Sequence, residues 1–458
     1  MTHMKQYQYS DSEAEFNRVL KHQNDLLINM PSLSESIETT CDNINDSEAL
    51  LKSLGYQINI PIKEVIPEEK PTIPLPAWED ILLDAEQDGI GTFDLQSLFT
   101  EEELKANEDY IEKLYLDFNE LHKLDAIDYS ICALAGIIAA TVDILLVGIP
   151  HKTKDGLKSG PLSDYIRNSF DKKFPEEEMN KLANSKLSKV PYDAQDNRNT
   201  VEYVEGMSAY YHRLLSLGHD PILGFIVGVF DIMTGKMTTI DKSGKIVSQV
   251  IESYSDRKES DLFAALLKQL IHFKSDITTS MGLPAPMMAV FNLFQFGNIG
   301  DEHQTIAEIV QGMYYEGYDF IHFCSTSTSA MLIEVIVRSS YCIKRVNEGN
   351  TIRESIPFST NREKNPKLAT MLFVAHSIAT GCNTGKVYFT KNPMAINYTQ
   401  WIVFSKYFIS QLNWVMYKKP TLREKYVSIL LNNEFDTVFD EVETSWQSFS
   451  SEYTITMN

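Results

Sequence analysis

Apolar runs broken by short polar segments dominate the chain, and one such run occurs twice. Gly136-Ile-Ile-Ala-Ala-Thr-Val-Asp143-Ile-Leu145 returns as Gly224-Phe-Ile-Val-Gly-Val-Phe-Asp231-Ile-Met233. Each stretch is closed by a glycine, Gly148 or Gly235. Seven residues is nearly two helical turns, so each glycine shares a helix face with its aspartate. Gly136 with Ala140, and Gly224 with Gly228, place small residues four apart on that face, where another backbone can approach closely. Packed against each other, the two copies would bring Asp143 and Asp231 together in apolar surroundings, as a pair with a raised pKa or as a cation site. A fainter echo runs from Ala369 through His376 to Gly381.

The periodicity predicts a mainly α protein. It is a multi-helix bundle core built around this internal repeat of glycine-punctuated apolar helices, with a small β-hairpin. Residues 10–55 read as amphipathic helices, and the prolines at 61, 67, 71, 74 and 76 form an extended linker or strap. Thr100 with Glu103 is a capping box that opens a helix. Residues 171–200 look like a polar surface insertion. Asp220-Pro221 is a favoured helix start, and Gly235 a helix stop. Lys236–Ile240 and Lys245–Val250, joined by Asp241-Lys-Ser-Gly244, have the alternation of a hairpin. A helix is expected over 261–273, with others near 303–315, 325–347, 367–380, 395–418 and 421–432. The reading divides the chain into an acidic helical arm with its linker (1–75), a helical core domain (76–435) and a polar C-terminal tail (436–458).

Charge changes this picture in one respect. The chain carries a formal net charge of −22, which argues against nucleic acid as a partner, because phosphates call for basic patches. Residues 1–100 hold 18 acidic against 6 basic side chains, which marks residues 1–75 as the candidate surface for a protein partner. Five cysteines without a CxxC pair fit a reducing compartment, and the polar first thirty residues lack the pattern of a signal peptide, so the expected location is cytoplasmic. Tyr129–Val142 has no charge and suits a buried helix first and a membrane span second.

Candidate chemistry is concentrated in a few residues. His212, His219, Asp220 and Asp231 offer nitrogen and oxygen donors for a divalent metal, with Asp143 and His151 as further donors. The order His212, His219-Asp220, Asp231 resembles the ligand order of HD-type phosphohydrolases, an all-α family. The spacing here is tighter, and Pro221 follows the doublet directly. That resemblance implies metal-dependent phosphoester hydrolysis, with His212, His219 and Asp231 as catalytic candidates. Asp84-Ala-Glu86-Gln-Asp88-Gly89 starts like a calcium loop but has Leu95 at position twelve. Walker, Rossmann, nucleophile-elbow, HExxH and kinase motifs are missing from the sequence. The leading expectation is therefore a non-enzymatic helical protein that acts by partner binding or by triggered association with membranes. Asp143 and Asp231 would be its switch groups, and His151 and Arg213 its ligand contacts. Metal-dependent phosphoester hydrolysis through the His/Asp cluster is the alternative.

Overall fold

The structure, a computed structural model, describes residues 8–30, 33–56, 70, 72–89, 94–154, 156–279, 282–299 and 303–457. The expected proline strap and calcium-like loop lie partly outside these residues. The described chain is mainly helical and forms two compact units, residues 1–120 with 421–458, and residues 121–420.

In chain order, the first unit contains α1 (Asp11–Asn29), α2 (Leu33–Ser53), β1 (Thr72–Leu75), α3 (Trp78–Gln87) and most of α4 (Glu101–His122). The second contains α5 (Ala126–Val142), β2 (His151–Thr153), β3 (Gly156–Lys158), α6 (Pro161–Lys173), α7 (Glu176–Ala183), α8 (His212–Leu215), α9 (Val227–Thr234), β4 (Lys236–Ile240) and β5 (Ile246–Val250). It continues through α10 (Leu262–Asp276), α11 (Ile306–Tyr315), α12 (Phe320–Asn347), α13 (Ile352–Ser355), α14 (Leu368–Thr390) and α15 (Tyr398–Asn413). The chain then returns to the first unit with α16 (Lys419–Glu452) and β6 (Thr454–Met457), which pairs in parallel with β1. The expected C-terminal tail is thus largely helical.

The helix starts follow the sequence chemistry. Thr100 and Glu103 form the expected capping box. Asp125 caps α5 reciprocally with Asp128, Asp261 caps α10, and Asn397 caps α15. The hairpin pairs β4 with β5 in antiparallel register, and Asp241 closes its turn by accepting the amides of Ser243 and Lys245.

Among the apolar cores of the second unit, two position the residues of interest. One is a four-helix bundle of α5, α12, α14 and α15, centred on Ala135, Ala139, Ile333, Val337, Leu372 and Ala375. The other joins the 190–207 loop, α9, the hairpin and α10 through Tyr192, Val229, Ile232, Met237, Val247 and Ala265. Residues 190–194 are core here, not surface insertion, because Val190, Tyr192 and Ala194 have no exposure.

The two glycine-rich segments do not pack on each other. A Cβ on Gly136 would lie 2.8 Å from the Ala375 carbonyl oxygen on α14. One on Gly228 would lie 2.8 Å from Gln269 Oε1 on α10. Each small face admits a close neighbour, but the neighbours differ, so Asp143 and Asp231 are held apart by separate cores.

Candidate metal centre

Five side chains converge between the 190–194 loop, α8, the 217–219 turn and α10. His212 and His219 both aim Nε2 at Asp193 Oδ1, at 3.6 and 3.7 Å. His219 and His272 also face Asp276 Oδ2, at 3.9 and 3.5 Å. These separations are long for hydrogen bonds. They match the spacing of neighbouring donors around one ion, since metal–ligand bonds of about 2.1 Å set tetrahedral edges of about 3.4 Å. Donor atoms of Asp193, His219 and His272 all lie within 4.8 Å of one another.

The imidazoles are prepared as ligands. His212 and His272 direct Nδ1 at the carbonyl oxygens of Ala209 and Ser188, at 3.0 and 2.8 Å. With the proton on Nδ1, each Nε2 presents a lone pair to the cluster, the arrangement that orients metal-bound histidine. The Nε2 atoms of all three histidines are buried without hydrogen-bond partners. Leaving so many buried polar atoms unmatched is costly unless something binds between them. Burial pushes the His219 imidazolium down to about 3, so the ring is neutral near pH 7.

Tyr192, Gln269 and Gly218 lock the surrounding segments together. The Tyr192 hydroxyl donates to Gln269 Oε1 at 2.5 Å, and Gln269 Nε2 donates to the Gly218 carbonyl at 2.8 Å. The Tyr192 ring occupies the space a Gly218 side chain would need. His272 and Asp276 stand one turn apart on the same face of α10, and that spacing is the signal in the sequence that would have pointed to them. Asp193 carries no such signal, since only folding brings its loop to the histidines.

Of the residues singled out from sequence, His212, His219 and Arg213 meet here. Arg213 Nε lies 3.0 Å from Asp276 Oδ2, and its Nη1 donates to Thr279 Oγ1. Thr279 and Tyr314 line an adjoining cleft of about 520 Å3, along with Lys152, Arg167, Tyr210 and Tyr315. The expected oxygen donors are placed elsewhere. Asp220 turns its Oδ1 to the amides of Ile222 and Leu223, as a cap does. Asp231 accepts the Thr238 amide and hydroxyl, each at 2.8 Å. Asp143 is enclosed by Asn383, Asn397 and Lys386. His151 lies exposed on β2. The carboxylates beside His212 and His219 are those of Asp193 and Asp276, with His272 as the third imidazole.

Comparison with known protein families, curated proteins and solved structures finds no match to this chain.

Proposed function

We propose that this protein is a metal-dependent hydrolase that acts on phosphoesters. The observation that carries the reading is the convergence of three buried, unpartnered histidine Nε2 atoms on the carboxylates of Asp193 and Asp276. Mixed imidazole and carboxylate donors suit zinc, manganese or iron, and such an ion lowers the pKa of bound water enough to make a nucleophile near neutral pH. Charge supports the substrate class. Arg213 and Arg257 stand beside Asp276 and Asp193, so their two positive charges balance the two carboxylates. A divalent ion added among neutral imidazoles would leave the centre at about +2, which suits a phosphate ester. In the reaction, a water oxygen bonds to phosphorus, the ester P–O bond breaks, a carboxylate of the centre takes the water's proton, and the leaving oxygen is protonated by solvent.

Elemental analysis of the purified chain tests the reading. About one equivalent of metal is expected. His219→Ala and Asp193→Asn should lose most of it together with phosphodiesterase or phosphatase activity. Metal-free parent protein whose thermal stability ignores chelator would refute the proposal.

A further inference from the structure

The bundle of α5, α12, α14 and α15 holds buried polar networks beside its apolar core and presents apolar side chains outside. Asn383, Asn397 and Lys386 close on Asp143 in its interior. Gln400 donates to His376 and Thr380, Thr326 bonds Thr399, and Tyr407 donates to Glu334. The outward residues are of the opposite kind. On α5 and the π-helical turn that follows it they include Leu134, Ile137, Ile144 and Leu145. On α12, Met331, Val335, Ser339 and Ile343 form an exposed stripe at four-residue spacing without a charge. On α15 and the π turn after it the exposed face runs through Ile402, Phe408, Ile409, Leu412, Val415 and Met416, interrupted by Ser405, Ser410 and Asn413; its charged members are Lys406, whose Nζ rests 5.3 Å from the Tyr407 ring, and Lys418 at the end of the turn. A water-facing surface this apolar is rare on a soluble monomer.

The lengths agree with one covering phase. α5 with its π turn is 22 residues long, from the 17 and 5 of its two parts. α12 has 28, α14 has 23, and α15 with its π turn has 21, from 16 and 5. At 1.5 Å per residue each exceeds about 30 Å, the thickness of bilayer hydrocarbon. Charges gather at one end of the bundle, where Lys344 and Lys367 meet Asp125 and Asp128 at the N-terminus of α5. Cys132 donates to the Met371 carbonyl, and Gly136 lies against Ala375, so α5 and α14 run in parallel away from this belt. α12 runs back toward it and ends near Lys344 and Arg345. Every backbone group along such helices is satisfied within the helix, as hydrocarbon demands.

We propose that this four-helix bundle is embedded in a lipid bilayer, with hydrocarbon covering the outer faces of α5, α12 and α15. The inference is independent of the metal centre, which lies outside the bundle. The test uses the full chain. Membranes from expressing cells are washed with high salt and alkaline carbonate, and the chain should stay in the pellet until detergent is added. Release by carbonate, or a monodisperse protein soluble without detergent, would overturn the proposal. A triple variant, Ile137→Lys, Val335→Lys and Ile409→Lys, changes only exposed positions, which a water-soluble bundle tolerates. It should lose at least tenfold of its carbonate-resistant fraction, while Ile137→Leu, Val335→Leu and Ile409→Leu keeps it. Undiminished membrane retention of the lysine variant would also overturn the inference.

Discussion

Burial raises the Asp231 carboxyl to about 6, even though Thr238 donates to it twice and Lys236 lies near. An unfolded aspartate titrates near 3.9. Between about pH 4 and 6 the folded chain therefore holds a proton that the unfolded chain has released, and stability falls as pH rises through that window, then levels off. Two pKa units correspond to about 3 kcal/mol. Asp231→Asn keeps both bonds to Thr238, with its carbonyl toward the amide and its NH2 toward the hydroxyl, and removes the titration. The variant should melt several degrees above the parent at pH 7.5 and close to it near pH 4. Equal melting temperatures at pH 7.5 would contradict a buried, charged Asp231. The same aspartate shows how far residues can be read singly. Its burial follows from the apolar run around it, but whether it meets His219 or Thr238 depends on β4, which follows Gly235 and turns the chain back across α9.

At the level of elements, the glycine of α9 matters most to the metal centre. Gly228 lets Gln269 of α10 pack against the α9 backbone, and α10 carries His272 and Asp276. A methyl group at 2.8 Å from Gln269 Oε1 must displace that side chain, and with it the bonds to Tyr192 and Gly218. Gly228→Ala is expected to cost about 1–3 kcal/mol by overpacking and to lower metal content. Gly381→Ala on α14, where nothing lies within 4 Å, should leave both unchanged or slightly improved. Thermal melts and elemental analysis of the two variants check the contrast, and equal metal content would separate Gly228 from the site. The close-approach face of α9 was legible as small residues four apart; its partner was not. The helix carrying His272 was also legible, but its apolar pattern fades after Phe273 into the polar Lys-Ser-Asp, of which Ser and Asp are weaker helix formers, so the periodicity ends before Asp276. The turn that pairs His272 with Asp276 was lost with it.

Over the whole molecule, mean hydropathy of −0.21 weighs against membrane insertion in a sequence reading. It averages over where polar side chains point. Among the described residues, two helical segments, Glu101–Val147 and Phe320–Asn347, are long and apolar enough to cross a membrane, whereas α14, α15 and its cap carry His376, Asn383, Asn397 and Gln400, all buried inside the bundle. Only the fold separates inward polarity from outward, which is why α14 and α15 escape a hydropathy window. Embedding has a topological consequence. If α12 crosses the bilayer once, the segment between α5 and α12 and the segment between α12 and α14 lie on opposite sides. Tyr203 and Phe358 are both strongly exposed, one on each flank. With the exposed Cys41 changed to serine, Tyr203→Cys and Phe358→Cys should gain label from a charged, impermeant maleimide on opposite faces of sealed vesicles. Gain of label at both positions from the same face would mean that α12 does not span, and that the apolar surface is covered by something other than a bilayer.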